Sequence, residues 1–363
     1  MTEDWWNKKE EDNQDQEEEW TFLGRERSFW IVALVFMIAY GFAVPYFKSN
    51  YTEFSVMTLN TQNLFDTFDD PKKDDKAYLP IELKQSKTHI NACKKIQVKS
   101  WKDECLYLDW DNETKDIKLA SLVKNIISYD TNGPDILALQ EVENINILKQ
   151  LFDLLEPYGY IDYELLESKD YRGIDTAFIS KFEILDSKLH YISFSGEFED
   201  KDTRPILDIT TKINNKNIKI YNVHFPAGYH DVSMRIDSLN MLKELLNTHK
   251  NPTIALGDFN VNTKEDNKHK IYQSQENVWI VGHLFGCNSC KGSYYYNYGK
   301  SWSFLDTIFL AKNRSISFIP NSVEIHKTKE NSYLDTGKPI RFNPISRKGV
   351  SDHLPVVARF KIN

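Results

Sequence analysis

The run Thr253-Ile254-Ala255-Leu256 passes straight into Gly257-Asp258-Phe259-Asn260. A short apolar run bounded by a glycine reads as a buried strand. Its end delivers a carboxylate and a carboxamide, a placement that suits metal-assisted phosphate chemistry. Taken alone, the Gly-Asp-Phe-Asn tetrad is more often a turn capping a following helix, because Asp and Asn side chains mimic backbone turn partners.

Strands and helices alternate around it. Residues 54–59 alternate enough for a first strand, and residues 66–118 form a charged insertion whose Asp/Lys-rich start reads as a loop. Leu119, Leu122, Val123, Ile126 and Ile127 keep helical spacing until Gly133-Pro134 stops the helix before a strand at 136–139. Ile145, Leu148, Leu151, Phe152 and Leu155 mark the next helix. Strands are expected at 176–180, 206–213 and 218–223, the last two joined by the hairpin signal Asn214-Asn215-Lys216-Asn217. Ile236, Leu239, Leu242, Leu245 and Leu246 give a helix ahead of residue 253, and later strands fall at 303–310 and 355–360. The pattern suits two mixed sheets packed face to face with helices outside.

Four other strand ends carry polar clusters in the style of Asp258. They are Asn60-Thr61-Gln62-Asn63-Leu64-Phe65-Asp66, Leu139-Gln140-Glu141-Val142-Glu143-Asn144, Asn222-Val223-His224-Phe225-Pro226 and Ser351-Asp352-His353-Leu354-Pro355. Each is weak singly. In order and type together, from about residue 54 to residue 362, they resemble the endonuclease/exonuclease/phosphatase superfamily of deoxyribonuclease I, exonuclease III, neutral sphingomyelinases and inositol polyphosphate 5-phosphatases. An N-terminal Asn, a QE pair, an N-x-H strand end, GD-x-N, a late Asp and a terminal SDH follow the superfamily's order. The NLFD opening, the insert from Glu104 to Trp110 and the WSFLD strand from Trp302 to Asp306 are similar to a bacterial subgroup of unassigned substrate. The resemblance implies a four-layer α/β sandwich of two mixed sheets flanked by helices. It also implies an Mg²⁺-dependent phosphoric ester hydrolase of nuclease type, with Mn²⁺ as a substitute.

Hydrolysing a phosphodiester requires charge neutralisation at the phosphoryl oxygens, an activated water and help for the departing oxygen. By the resemblance, Glu141 is the metal ligand, with Asn63 adjoining it and Asp352 as a further ligand. A solvated helix start is the competing reading of Glu141 and Glu143. His353 would face the phosphate, since imidazole changes charge near neutral pH, and Asp306 would orient its ring. Asp258 would position or deprotonate the attacking water, while Asn260 and His224 hydrogen-bond phosphate oxygens. The choice of base between Asp258 and His353 stays open.

Arg172, Asp175 and Arg204 are further candidates for substrate binding, with Lys300 beside them. The 171–175 loop precedes a strand and can present Arg to phosphate, or hold an exposed ion pair instead. Tyr294, Tyr295, Tyr296 and Tyr298 stand before Trp302, where they can stack bases, contact lipid or simply pack on the sandwich.

Residues 29–47, FWIVALVFMIAYGFAVPYF, carry no charge and would span about 28 Å as a helix, enough for a bilayer core. The expected organisation is an acidic disordered tail at 1–27, a transmembrane signal anchor at 28–47, a linker at 48–53 and a catalytic domain at 54–363. A cleaved signal peptide and a buried core helix are the alternatives; the long Glu-rich segment ahead of the run is unlike a short basic signal n-region, and no convincing small-x-small cleavage site follows Tyr46. Arg25 and Arg27 before it, against Lys48 after it, place the N-terminus in the cytoplasm. The chain is then a single-pass protein of the inner (plasma) membrane, expected as a monomer, with its catalytic domain periplasmic or extracellular.

The cysteines bear on the same question. Four of them allow three pairings, and the local ones, Cys93 with Cys105 and Cys287 with Cys290, are the most natural. Disulfides imply an oxidising compartment. Zinc, with His283 nearby, and a redox pair are the other readings of the C-x-x-C.

Substrate class is where the residues divide. Residues 1–53 hold 11 acidic and 5 basic side chains, net −6, and the remainder holds 42 and 40, net −2. A near-neutral catalytic part argues against tight binding of long nucleic acid. It leaves a nuclease, a phosphodiesterase or phosphatase acting on phospholipid, sphingomyelin or inositol phosphate, and a catalytically inactive binding domain as three readings. The intact set of candidate residues argues against the last.

Overall fold

Strand β1 (Glu53–Leu64) is apolar on both faces, with Phe54 and Val56 on one side and Met57 and Leu59 on the other, all buried. A strand of this kind belongs inside a sheet covered on both sides. The computed structural model, which describes residues 52–287, 290–312 and 315–363, places it there.

The strands that follow are β2 (Ile136–Val142), β3 (Asp162–Glu164), β4 (Asp175–Ser180), β5 (Ile184–His190), β6 (Ile206–Ile213), β7 (Lys216–His224), β8 (Thr253–Asp258) and β9 (Trp279–Val281). After them come β10 (Tyr294–Tyr296), β11 (Ser301–Ser303), β12 (Asp306–Ala311), β13 (Ile316–Phe318), β14 (Glu324–Ile325) and β15 (Val356–Ile362). One sheet runs β13-β15-β1-β2-β4-β3, with β14 on β15, and the other runs β5-β6-β7-β8-β12-β9. Each has one parallel pair at its centre, β1 with β2 and β7 with β8, and is otherwise antiparallel.

Val56, Ile136, Ala138 and Phe178 of the first sheet meet Leu207, Ile209, Ile220 and Ile254 of the second in the central core. The helices cover the outer faces. Of the helices between β1 and β9, α1 (Lys87–Lys94) and α2 (Lys99–Tyr107) lie in the insertion, α3 (Asn112–Ile127) and α4 (Ile145–Leu155) flank β2, and α5 (Val232–Asn247) precedes β8. Leu119, Leu122 and Ile126 of α3 and Leu148 and Leu151 of α4 pack on Met57, Leu59 and Leu137. Leu239 and Leu242 of α5 pack against Tyr221, Val223 and Ala255. Each such side chain, taken fully out of water, contributes about 1.5–3 kcal/mol. The result is a mixed α/β fold of two sheets with helices outside.

One buried polar pair crosses between the sheets near the functional edge. Gln140 Nε2 donates to Asn222 Oδ1 across the sheets at 2.7 Å, and Asn222 Nδ2 donates to the carbonyls of Leu139 and Ala177, both at 2.9 Å. Buried amides are costly when unpaired, so this pair sets the relative register of β2, β4 and β7.

Two expectations need correction. The strand expected at 303–310 is broken: Ser303 ends β11, which pairs only with β10 in a separate hairpin, and β12 begins at Asp306. The break has a cause in Ser293, whose Oγ accepts the Asp306 amide at 2.9 Å. The start of the insertion is irregular as expected, but its end at residue 118 is not: past two short helices joined by the Cys93–Cys105 disulfide, helix α3 already begins at Asn112. Trp110 anchors the insertion, donating Nε1–H to the Phe65 carbonyl at 3.1 Å. The expected tail, the transmembrane segment and all of the linker but its last two residues lie outside the described residues. Among the described residues no helix is long and apolar enough to cross a membrane.

Candidate active site

Parallel β1 and β2 bring their C-terminal ends together, and so do β7 and β8. β15 runs antiparallel to β1 and β12 antiparallel to β8, so the starts of β15 and β12 reach the same edge. Asn60, Glu141, His224, Asp258, Asp306 and His353 are thereby gathered at one end of the two sheets from segments far apart in sequence.

Asp306 lies directly opposite Asp258 in the β8–β12 ladder, and its Oδ2 meets Nδ1 of His353 at 2.7 Å. Asp306 is fully buried, and its Oδ1 has no hydrogen-bond partner. Burial draws the His353 imidazole down, but the charge and hydrogen bond of Asp306 more than reverse this and hold it up at about 10. Burial and the neighbouring Asp306 push the Asp258 carboxyl up to about 7. Tyr294 covers the histidine, its ring centroid 4.9 Å from that of His353.

Asn60 joins the two halves. Its Nδ2 donates to Glu141 Oε1 and to Asp258 Oδ2, each at 3.2 Å, and its carbonyl accepts from Ser351 Oγ at 2.6 Å. Glu141 Oε2 accepts the Asn63 amide at 2.9 Å. His224 Nε2 stands 3.9 Å from Glu141 and 3.8 Å from Asp258, beyond hydrogen-bond distance. Burial, followed by Arg204 and Arg172, keeps this ring well below its usual range and therefore neutral. Asn260 orders its own turn, its amide donating to Asp258 Oδ1 at 2.9 Å and its Nδ2 to the Phe225 carbonyl at 3.0 Å.

The backbone is strained here. Gln62, Asn63, Glu141 and Asn260 all have φ between 53° and 60°, a region costly for residues other than glycine. Gly257 has φ 137°, and a Cβ there would lie 2.1 Å from the Val223 carbonyl oxygen. Only glycine allows β7 and β8 to approach closely enough to align His224 with Asp258.

Glu141, Asp258 and Asp306, with Asp352 close by, give this edge more carboxylates than its buried cations balance. Asp306 Oδ1 has no hydrogen-bond partner, and Asp306 adds to burial in raising the Asp258 carboxyl. Such a donor set fits a hard divalent cation. Glu141 keeps 17% side-chain exposure and so faces an approaching ligand. Asp258, Asp306 and His353 also offer ligand atoms within 4.8 Å of one another. The Asp306–His353 hydrogen bond already occupies two of those atoms, which favours Glu141 as the ligand.

Other expected residues fall differently. Asn63 meets Glu141 only through its backbone amide, and its side chain faces Arg172 NH2 at 3.5 Å; the amide that bridges the carboxylates is Asn60. Asp175 stands apart, buried with Oδ2 accepting the Ser168 amide at 3.2 Å, and it anchors the loop that presents Arg172. Arg204 borders the site, donating to the Phe225 carbonyl at 2.9 Å while its buried Nε has no partner. Asp352 is half-buried and acts electrostatically on Lys118, as Glu141 does. Glu143 is not a solvated helix start: it is buried, accepts the Asp66 amide at 2.6 Å, and Asn144 caps α4 instead. Lys300 is exposed and away from these contacts. Cys287 and Cys290 form a disulfide, while His283 stacks on Phe304 at 4.4 Å and bonds Thr307, so no zinc set forms there. Asn60, Ser351 and Ser293 have no role assigned from the sequence, and Tyr294 is weighed there only for stacking, lipid contact or packing. Asn60 and Ser351 stand inside the polar clusters already singled out, but nothing in a sequence distinguishes a bridging amide from a turn amide.

The model of the Endonuclease/Exonuclease/phosphatase family matches residues 106–361. The chain belongs to this family. Members are hydrolases acting on phosphoesters and are generally dependent on divalent metal, in keeping with the carboxylate-rich edge. Among solved structures, the fold is similar to an endonuclease/exonuclease/phosphatase family protein from Bacteroides thetaiotaomicron at 17% identity and TM-score 0.50, covering 86% of this chain and 98% of that one. It is also similar to the mannosyl-6-phosphatase of Bacteroides thetaiotaomicron at 17% identity and TM-score 0.51, covering 85% and 99%. The D. rerio TDP2 complexed with single strand DNA product matches at 12% identity and TM-score 0.51, again covering 85% and 99%. Identities this low show a shared fold alone. No curated protein matches the chain.

Proposed function

We propose that this phosphoester hydrolase is a divalent-metal-dependent phosphodiesterase of nuclease type, tethered to the cell membrane by residues 28–47. The observation that carries the chemistry is the buried Asp306–His353 pair, 2.7 Å apart, set directly opposite Asp258 in the β8–β12 ladder. Glu141, with Asn60 bonded to it and Asp352 as a further candidate ligand, would hold Mg²⁺ or Mn²⁺, which would supply charge neutralisation at the phosphoryl oxygens. Asp258, its carboxyl pushed upward by burial and by Asp306, is placed to accept a proton from water. His353, kept cationic by Asp306, faces the phosphate and can share a proton with an oxygen. Neutral His224, Asn260 and the free Nε of Arg204 supply hydrogen bonds to the remaining oxygens. The test is a screen of the full-length chain with Mg²⁺ against bis-p-nitrophenyl phosphate, oligonucleotides, phospholipids and sphingomyelin. Turnover of the nitrophenyl diester and an oligonucleotide is expected, and inactivity on every diester by a folded chain would sink the reading.

The uncharged run at 29–47 and the two disulfides together support a catalytic domain outside the membrane. Protease added to spheroplasts should degrade everything after Lys48, and maleimide labelling without reductant should find no free thiol. A protected domain with reactive cysteines would reverse the orientation.

A further inference from the structure

We infer that a basic groove beside the catalytic edge holds a single strand of nucleic acid beyond the scissile phosphate; this rests on the phosphodiesterase reading above. The groove is a cavity of about 850 Å³ between α3, the β10–β11 hairpin and the segment leading to His353. Lys124, Lys329, Lys338, Arg341 and Lys348 line it, against the single carboxylate Glu330, which already pairs with Lys124 at 2.7 Å. A catalytic part that is net −2 overall thus collects an excess of cations in one concavity. The net balance had argued against nucleic acid; the local distribution argues for it.

The groove lies beside the site: Arg341 in its wall acts electrostatically on Tyr294, which covers His353, and on Lys118, as Glu141 and Asp352 do. On the other side Gln62, adjacent to Asn63, exchanges hydrogen bonds of 3.0 Å with both the amide and the carbonyl of Phe342. A phosphodiester chain with one phosphate at His353 would continue past Arg341 toward the lysines. Tyr295 and Tyr333 add rings to the wall, and Lys338 already sits 4.0 Å above the Tyr295 ring. Cations alternating with aromatic faces suit an unpaired strand, whose bases are free to stack. A flat bilayer would reach only the rim, where Leu334 and Ile345 are almost fully exposed. That rim makes vesicles the necessary rival.

The experiment compares the full-length chain with a combined Lys329→Ala, Lys338→Ala, Lys348→Ala variant and its all-Arg counterpart. A fluorescein-labelled single-stranded oligonucleotide, phosphatidylglycerol vesicles and bis-p-nitrophenyl phosphate serve as probes. Oligonucleotide affinity should fall about tenfold or more in the Ala variant, and the slope of log K against log salt should flatten by roughly 2, at about 0.7 per lost phosphate contact. The Arg variant should restore both, and turnover of the small diester should stay unchanged in all three. Unchanged oligonucleotide affinity in the Ala variant overturns the proposal, and if vesicle binding alone depends on the lysines the groove is a membrane surface instead. Lysine-dependent oligonucleotide binding without hydrolysis of any diester would leave the groove standing and remove the phosphodiesterase reading.

Discussion

Glu141→Gln should reduce phosphodiester hydrolysis on the order of 10³-fold, because a bound divalent ion supplies several kcal/mol of charge stabilisation and one carboxylate dominates this site's hold on it. The substitution keeps the shape of the side chain but turns one oxygen into an amide. That amide must then face either Asn60 Nδ2 or the Asn63 backbone amide, both of which donate to Glu141. Donor would meet donor, so the loss should include disordering of the strained turn at Gln62 and Asn63. Chelator should abolish hydrolysis by the unmodified chain, and Mg²⁺ or Mn²⁺ should restore it. Thermal melts of the variant establish that it folds. Full turnover in chelator would remove metal from the mechanism, and near-native turnover in a folded Glu141→Gln chain would move the metal elsewhere.

His353→Ala and Asp306→Ala should each lower kcat by roughly 10²-fold or more, as loss of a general acid–base group commonly does. The two losses should not multiply. Asp306 acts through the ring it holds at 2.7 Å, so once the ring is gone the carboxylate has little left to contribute. The double variant should be little worse than the poorer single one. A buried carboxylate left without its imidazole is also a stability cost, so the comparison is made on folded protein at a temperature below the lowest melting transition. Strictly multiplicative losses would dissolve the pair, and a fully active His353→Ala chain would take the residue out of the reaction.

The fold class and most of the site were legible because both rest on local patterns. Alternation marks β1, a continuous apolar run marks β8, a hairpin signal marks β6 and β7, and helical spacing of apolar residues marks α3, α4 and α5. The chemistry-bearing residues sit at strand ends, where the hydrophobic run stops and a polar side chain emerges. The short strands β9, β10, β13 and β14 were not legible, because two or three residues carry no period and exist only through pairing with β12, β11 and β15.

The sequence by itself determined which residue types stand at the strand ends, which cysteines lie close enough to pair locally, and that both faces of the central strands would be covered. Only the tertiary structure decided what touches what. Asn60 rather than Asn63 became the bridge between Glu141 and Asp258, because the register shift between Asn60 and Leu64 at the end of β1 points one amide inward and the other toward Arg172. Asp175 became a loop anchor because β4 draws its carboxyl inside. The charge balance of the catalytic part is nearly neutral as a count, yet residues from α3 and from the segment before β15 converge into a basic groove. Charge counts add along a chain, whereas electrostatic potential depends on distance, and distances between residues 124 and 348 are set by the fold.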